Sequence, residues 1–432
     1  MSSSSPPSSS SSVSTSADFT YDSRSSSLSK LNASLLTQDV KLRWPLIAFA
    51  SLPLLLCHSG IAIRPILYSC ALHALCAGAQ WLADRIAVVL ILPVSNAAGA
   101  ALADTASLAR RGGKMGEGIV KALSEVTVFL ATRRAAVDLL REKILCATNI
   151  RAIHLRTPDG VSLEGFLTSP HHDPVALAAK RILIYVGGNA EHAEEATLAF
   201  EAEWVRRRGF YLFTINVRGM GRSGRGSTGS SGAVVTQHRP TRRGLIIDTA
   251  TAIAFTTAPI AQGGFGAEMP PAVIGHSLGG ALSFIALAAI CMPADCVNDR
   301  SFSRLSMVAD SHIAGIVQTA FSPPRTESEI STEKAKKNLS KFAATLLAFA
   351  IKHVALWELD GASAWDALPS GTRKLALAAP EDEVIPVSAQ LAAVLGKGEA
   401  SLQCARTPKG TSAHNRGWSR EEVEWVAQVF KR

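Results

Sequence analysis

The C-terminal part of the chain, from residue 151 onward, alternates short apolar runs with stretches of helical periodicity. Helical stretches fall at 191–207, 243–257, 278–290 and 418–430, between apolar runs that read RAIHLRT, VSLEGFLTS, RILIYVGG, FYLFTINVRG, PAVIGHS, IAGIVQTAFS, KLALAAP and SLQCART. Strands that alternate with helices are joined by crossovers, which predicts an α/β domain with a mostly parallel sheet and helices on both faces. The first two runs flank the turn Pro158-Asp159-Gly160 and predict an antiparallel hairpin that leads into this sheet.

One predicted strand runs directly into a predicted helix through Gly275-His276-Ser277-Leu278-Gly279-Gly280. This segment fits the pattern G-x-S-x-G, in which a serine lies on a sharp strand-to-helix turn with its hydroxyl exposed. Two interpretations are open at this point, since Ser277 is either a nucleophile or a small residue that a tight junction requires. The rest of the chain has to decide between them.

Three further segments have the character of loops next to strands and helices. NVRGMGRSG (216–224) follows the fourth apolar run, APEDEVIP (379–386) ends the seventh, and SAHNRGW (412–418) precedes the last helical stretch. Together with GHSLGG, and in this order, these segments resemble the motifs of the α/β-hydrolase family over residues 151–432. The resemblance implies the α/β-hydrolase fold and a serine hydrolase similar to membrane-anchored lipase- and thioesterase-like members.

The resemblance also implies the chain order nucleophile, acid, histidine. With Ser277 as the nucleophile, His414 is the expected general base, because it alone among the later histidines follows a strand-end acid. Imidazole exchanges a proton near neutral pH and can carry one from a serine hydroxyl to a leaving group. The family pattern aligns Asp382 with the acid that orients the histidine, whereas spacing alone leaves Glu383 as an alternative. His276 is expected to orient the turn rather than to act as the base.

An oxyanion hole is expected from the backbone N–H of Leu278, which follows the nucleophile, and from the loop after the third apolar run. That loop reads GGNAEH from residue 187, and its predicted donors are the N–H groups of Gly188 and Asn189. Most relatives begin this loop with His-Gly. Gly187 therefore stands where a bracing histidine side chain is usual.

The N-terminal part of the chain differs in composition from the rest. Residues 1–43 are rich in serine and poor in apolar residues, which predicts a disordered tail. Residues 44–103 contain only three charged residues, which leaves three uncharged runs close to the length of a membrane-spanning helix. They predict an apolar helical region, either inserted in a membrane or folded as a helical subdomain in water. Residues 104–150 have an amphipathic pattern and predict linker helices.

Basic residues lie on both sides of the apolar region, at 41 and 43 before it and at 110, 111 and 114 after it. Because basic flanks stay on the cytosolic side of a membrane, an even number of crossings is expected, with the C-terminal domain facing the cytosol. The chain carries a formal net charge of +9. This charge favours anionic partners such as lipid head groups.

No segment predicts a cofactor, a metal ion or a nucleic-acid partner. The seven cysteines include no C-x-x-C pair and no zinc-type spacing with histidine. Gly219, Gly221 and Gly224 spell G-x-G-x-x-G, but a Gly- and Ser-rich loop follows where a dinucleotide fingerprint requires a helix. This loop is basic, and its arginines are expected either to meet anionic lipid or to be solvated. They stand at 218, 222, 225, 239, 242 and 243.

Residues 324–370 lie where members of the resembled family carry a lid. The segment FAATLLAFAIKHVALW within them predicts either a cover for an acyl chain or an ordinary core helix. The whole sequence predicts a membrane-associated serine hydrolase that cleaves ester or thioester bonds of lipid-like acyl substrates through Ser277, Asp382 and His414. The alternative is a hydrolase-fold protein with little or no turnover that acts as a membrane scaffold or interaction partner.

Overall fold

The computed structural model describes residues 19–22, 28–37, 131–170, 181–189, 191–224, 240–267, 269–309, 311, 357–395, 401–403 and 411–431. Several predictions concern other residues and lie outside this set. They are the apolar region 44–103, the first part of the linker 104–150, the predicted strand 313–322 and most of the lid-like insertion 324–370.

A mixed sheet forms the centre of the described fold. Its strands are β1 (Phe19–Asp22), β2 (Ile150–Arg156), β3 (Ser162–Thr168), β4 (Ile182–Val186), β5 (Tyr211–Asn216), β6 (Ala272–His276), β7 (Asp295–Asp299), β8 (Arg373–Ala378) and β9 (Ser401–Gln403). Their order across the sheet is β1-β2-β3-β5-β4-β6-β7-β8-β9. β3 runs antiparallel to β2, as the hairpin pattern predicts, and also to β5, and the other neighbouring strands are parallel.

Helices precede, connect and follow the strands. They include α1 (28–37), α2 (131–146), α3 (Ala193–Leu198), α4 (Phe200–Arg207), α5 (Arg242–Thr257), α6 (Leu278–Ala289), α7 (Gly361–Asp366), α8 (Leu391–Leu395) and α9 (Arg420–Phe430). Within the described residues, no helix has both the length and the apolar character that a membrane crossing requires.

The helices cover both faces of the sheet because successive residues of a strand point to opposite sides. On one face, Val273 of β6 shares a hydrophobic cluster with Leu245 of α5 and Leu282 of α6. On the other face, the next residue, Ile274, belongs to a second cluster with Val426 of α9. Burial of both faces is typical of largely parallel sheets. The predicted α/β fold with helices on both faces is confirmed.

β7 is a strand that the sequence analysis does not predict, since its apolar runs pass directly from residues 271–277 to residues 313–322. In the structure β7, with the sequence DCVND, lies between β6 and β8. Its polar residues argue against a central strand, but its acids are paired. Asp295 accepts hydrogen bonds from Arg373, and Asp299 accepts them from Arg300. Arg373 is distant from Asp295 in the sequence and Arg300 directly follows Asp299, and the composition of the strand reveals neither pairing.

Two segments of the serine-rich N-terminal region 1–43 are ordered against the sheet, which differs from the predicted disorder. β1 pairs in parallel with β2, with Phe19 opposite Ile153. In α1, Leu28, Leu31 and Leu35 are buried in the main hydrophobic cluster. Their spacing of three and four residues places them on one face of a helix, which supplies the apolar contact that the average composition hides.

The topology brings the predicted site residues to one edge of the sheet. β4 pairs in parallel with β6, and β6 and β8 both pair in parallel with β7, so the C-terminal ends of these strands lie at the same edge. Gly187 follows β4 directly, Ser277 follows β6 directly, and Asp382 lies four residues beyond β8. This edge is where open α/β sheets bind their ligands.

Candidate active site

Ser277 occupies a strained turn between β6 and α6. Its backbone has φ 51° and ψ −120°, which is a rare conformation for a residue with a side chain. Its amide N–H donates to the carbonyl of Asp299 on β7 at 2.9 Å. The residue is 5% exposed. The turn therefore presents the serine at the head of a helix while the neighbouring strand fixes its backbone.

The glycines of the motif are required by close backbone approach. A Cβ atom on Gly275 would lie 2.5 Å from the carbonyl oxygen of Gly279, and one on Gly279 would overlap the carbonyl oxygen of Val186 at the end of β4. Larger residues would push α6 away from the two strands. The pattern G-x-S-x-G thus has a packing reason here, whatever the role of the serine.

His414 connects Ser277 to Asp382. Its Nε2 lies 2.9 Å from Ser277 Oγ, and its Nδ1 lies 2.7 Å from Asp382 Oδ2. His414 is 4% exposed and Asp382 is 8% exposed. The structure therefore brings together the three side chains that the sequence reading selected, in a continuous series of hydrogen bonds.

The second oxygen of Asp382 is used to fix its own loop. Oδ1 accepts from the N–H groups of Val384 at 2.8 Å and Ile385 at 2.7 Å. Glu383, the alternative acid, points elsewhere. Its carboxylate accepts from the hydroxyl of Ser412 and from the N–H of Ala413. Glu383 thus binds the histidine loop just before His414, and its hydrogen bonds go to Ser412 and Ala413 rather than to the imidazole ring.

Arg300 holds the backbone of the histidine loop, and the sequence analysis did not predict it as a site residue. The residue is 1% exposed. Its Nη1 donates to the carbonyl oxygens of Ala413 and His414 at 3.2 Å and of Arg416 at 2.7 Å. Its Nε donates to Asp299 at 2.8 Å. The charge is therefore neutralised by the carboxylate of Asp299, which binds Nε and Nη2, while Nη1 holds the three carbonyls.

Gln390 supports the acid loop in the same way. This residue is fully buried, with 0% exposure. Its Nε2 donates to the carbonyls of Ala379 and Ile385, both at 2.8 Å, and its Oε1 accepts from Ala379 N at 3.0 Å. Both ends of the Gln390 side-chain amide thus bind the backbone of the acid loop. A buried glutamine shortly after a strand-end acid is a weak signal, and the sequence reading missed it.

His276 lies between the serine and the histidine loop. Its Nε2 donates to the carbonyl of His414 at 3.0 Å, and the two rings pack at 5.0 Å between centroids. Burial lowers the pKa of His276, but the facing carboxylates of Glu191 and Asp299 outweigh burial and Arg300, and the net pKa is raised. His276 is thus a bridge to the loop of His414, in keeping with the orienting role that the sequence predicts.

The predicted oxyanion loop lies against the serine. A Cβ atom on Gly188 would be 2.9 Å from His276 Nδ1 and 3.1 Å from Ser277 Cβ, so a side chain there would force one of these residues to shift. The N–H of Gly188, however, donates to Glu191 Oε2 at 2.9 Å. This differs from the prediction that Gly188 offers its N–H to an oxyanion, because a carboxylate three residues ahead folds back onto it. Asn189 and Leu278 stay the predicted donors.

The loop after β5 is built around a buried arginine. Arg218 donates to Asp248 on α5 and to Asp159 in the turn between β2 and β3, with nitrogen–oxygen distances of 2.7 Å to each. This pairing corrects the expectation that Arg218 either meets anionic lipid or is solvated, since the side chain is buried. Among the described residues, no group of three or more His, Cys, Asp or Glu side chains is arranged to hold a metal ion.

Comparison with known proteins gives distant structural likeness. No protein-family model and no curated protein matches this chain. Among solved structures, it is similar to an esterase of Pyrococcus furiosus at 12% identity, over 65% of this chain and 87% of that chain, with a TM-score of 0.40. It is also similar to an acetyl xylan esterase of a Paenibacillus species at 14% identity, over 69% of this chain and 92% of that one, with a TM-score of 0.41. What the chain does is therefore argued from its own residues.

Proposed function

We propose that this protein is a serine hydrolase that cleaves carboxylic ester or thioester bonds, with Ser277 as the nucleophile. The observation that carries the proposal is the series Asp382–His414–Ser277, with distances of 2.7 and 2.9 Å, that ends on a serine in a strained turn. Strained backbone persists where the surrounding structure holds it, and such sites are often functional. A serine that served packing alone would not need a buried imidazole and carboxylate behind it.

Acylation starts with attack of Ser277 Oγ on the carbonyl carbon of the substrate. His414 Nε2 accepts the hydroxyl proton as the new C–O bond forms, and Asp382 stabilises the resulting imidazolium. The tetrahedral intermediate carries its negative charge on the former carbonyl oxygen. When the intermediate collapses, His414 returns the proton to the leaving alkoxide or thiolate, and the acyl group stays on the serine.

Deacylation repeats the same proton path with water. His414 removes a proton from water as the oxygen attacks the acyl-enzyme, and it then protonates Ser277 as the carboxylic acid leaves. In both steps the oxyanion requires N–H donors. The Leu278 N–H, at the start of α6, and the Asn189 N–H are the donors we assign, and the helix dipole adds to the stabilisation of negative charge.

We further propose a lipid-like acyl substrate and association with a membrane. The apolar composition of residues 44–103 and the net charge of +9 support this choice. In the described part of the chain, Val384 and Val387 are 38% and 42% exposed and lie in the loop of Asp382. Exposed apolar side chains in the loop of the orienting acid suit an acyl chain, since each buried CH₂ contributes about 0.8 kcal/mol.

The test uses the full-length protein in the membranes of the expression host. Wild type and Ser277→Ala are treated with a fluorophosphonate probe, which reacts with activated serines. Labelling of the wild type alone supports the proposal, and a folded wild type without labelling overturns it in favour of the scaffold alternative. Extraction of the same membranes with carbonate tests insertion, because release into the supernatant would contradict it.

A further inference from the structure

Glu191 lies beside Gly187, the residue that departs from the family motif. A Cβ atom built on Gly187 would be 3.1 Å from Glu191 Oε2 and 3.3 Å from Glu191 Cβ. The glutamate side chain thus takes up the space into which a side chain at position 187 would extend. The absence of a side chain at one position and the placement of the carboxylate at the other are therefore linked.

The carboxylate of Glu191 joins three elements around the turn. Its Oε2 accepts from the N–H of Gly188 at 2.9 Å. The hydroxyl of Tyr185, near the end of β4, donates to the same carboxylate at 3.2 Å. On its other side, Oε2 faces Nδ1 of His276 at 3.8 Å, which is the distance of an ion pair rather than of a hydrogen bond.

His276 continues this connection to the other side of the serine. Its Nε2 donates to the carbonyl of His414 at 3.0 Å. A continuous series of contacts thus runs from β4 through Glu191 and His276 to the loop of His414. Ser277 directly follows His276 in the chain, and the turn that holds Asn189 is attached to the series at Gly188.

We propose that Glu191 is a positioning residue that, together with His276, fixes the turn 187–189 relative to Ser277 in place of a side chain at position 187. The proposal rests on the proposed function, since it concerns the oxyanion donors of that reaction. Glu191 acts through the backbone of the turn and does not touch the reacting atoms. Its role is to keep Asn189 N–H at a fixed distance from the place where the oxyanion forms.

The charges of the pair support this role. Burial raises the pKa of Glu191, but His276, the Gly188 N–H and Tyr185 outweigh burial, so the net pKa is lowered and the carboxylate stays ionised. An ionised acceptor makes shorter and stronger hydrogen bonds to backbone N–H groups than a neutral one. A neutral amide at position 191 would keep the shape of the side chain and lose this charge.

The expected effect falls on the transition state. The oxyanion exists only during reaction, so a displaced donor lowers kcat and leaves KM almost unchanged. Loss of a whole oxyanion donor costs about 10²- to 10³-fold in kcat. Since Glu191 only positions the donor, we expect about a tenfold loss for Glu191→Gln and a larger loss for Glu191→Ala.

The experiment measures kcat and KM of the full-length protein in detergent micelles with a chromogenic p-nitrophenyl acyl ester. Glu203→Gln is the matched control, because Glu203 lies on the neighbouring α4, where its carboxylate pairs with Arg206 and Arg207. A fall of kcat with KM within twofold, in Glu191→Gln but not in the control, supports the proposal. Unchanged kcat in Glu191→Gln, or a change in KM alone, overturns it.

A second variant approaches the same contact from the opposite side. The backbone of Gly187 lies outside the left-handed region, so alanine fits its conformation and only crowds Glu191. We expect Gly187→Ala to lower kcat on its own and to add little in the Glu191→Ala background. Fully additive effects would overturn the proposal.

Thermal unfolding and fluorophosphonate labelling separate this proposal from the proposed function. A wild type that is folded but neither turns over ester nor reacts with the probe refutes the proposed function. An active wild type whose Glu191 variants match it in kcat refutes only the role of Glu191. If Glu191→Ala is unfolded in the melting curve, Glu191→Gln and Gly187→Ala decide.

Discussion

Ser277 lies between two loops that are held in different ways. On the base side, His414 and Asp382 are 4% and 8% exposed, and buried Arg300 donates to three carbonyl groups of the histidine loop. On the oxyanion side, the turn after β4 is held by the carboxylate of Glu191, whose side chain is 22% exposed. The base side is a network of buried groups, whereas the carboxylate that holds the oxyanion turn is partly exposed.

This difference matches what each side has to do in the proposed reaction. The imidazole must keep its distances to a hydroxyl and a carboxylate while a proton moves in both directions, which requires a rigid loop. The oxyanion turn only has to present N–H dipoles to a charge that forms briefly. Changes on the base side should therefore have larger effects on activity than changes on the oxyanion side.

The largest effect is expected where the two sides meet. Ser277→Ala removes the nucleophile, and His414→Ala removes the base, so each should lower kcat by roughly 10⁴-fold or more. The double variant should be no worse than either single one, because the residues act as a unit. Steady-state ester hydrolysis measures this, and a Ser277→Ala protein with more than a few per cent of wild-type activity would contradict the assignment.

The next effect distinguishes the two adjacent acids. Asp382→Asn should lower kcat by about 10⁴-fold, because an amide in that place favours the wrong tautomer of His414. Glu383→Gln keeps the shape of the side chain that contacts Ser412 and Ala413, so it should lower kcat by less than about tenfold. The pair is its own control, since both variants neutralise one carboxylate in the same loop. Equal losses would show that charge in the loop matters and that the contact with the ring does not.

The base side could be read from the sequence to the extent that it consists of motif residues. Ser277, Asp382 and His414 were selected from patterns, and the structure brings their side chains together. The family pattern favours Asp382 where spacing alone leaves Glu383 open, and in the structure it is Asp382 whose Oδ2 lies 2.7 Å from His414 Nδ1. Arg300 could not be selected, because its partners are backbone carbonyls more than a hundred positions away and carry no sequence signal.

The oxyanion side was visible only as a departure from a pattern. Gly187 marked the place where a side chain was missing, and the acid four residues later is the group that fills the space. A search for a polar residue one turn away from the departure would have found Glu191. The fold was easier to predict than the site, because hydrophobic periodicity indicates strands and helices. The missed strand β7 shows the limit of this signal, since its buried acids are paired with arginines that periodicity does not reveal.

A third prediction concerns a substitution that weakens the base side and leaves Ser277, His414 and Asp382 unchanged. Arg300→Met leaves Asp299 buried without its guanidinium and removes the Arg300 donor from the carbonyls of Ala413 and Arg416, which is expected to cost about 3–5 kcal/mol of unfolding free energy. Displacement of His414 by about 1 Å would lower kcat by roughly 10²-fold. Arg300→Lys keeps the charge but loses the fork, so it should fall between Arg300→Met and wild type. Chemical unfolding and ester hydrolysis measure both effects.

The smallest effect concerns the pair that joins the two sides. His276 faces Glu191, Asp299, Arg300 and the ring of His414, and its pKa in the folded protein is raised above the ordinary value of 6.5. A raised histidine pKa contributes stability that is present below pH 6.5 and is lost as the pH rises through the folded value. The pKa of Glu191 is lowered from 4.5, so its contribution is lost only as the pH falls below that value. The pair should therefore stabilise most between these two values, at about pH 5.5.

The measurement compares melting temperatures of wild type and His276→Gln at about pH 5.5 and about pH 9. The wild type should be the more stable protein at the lower pH by the order of 2 °C, and this advantage should shrink at the higher pH. Glu191→Gln is the control, because removal of the facing carboxylate should reduce the advantage at pH 5.5 and leave the part that comes from Asp299. An advantage that grows with pH would mean that His276 is buried as a neutral ring, and the link between the two sides would then depend on its hydrogen bond to His414 alone.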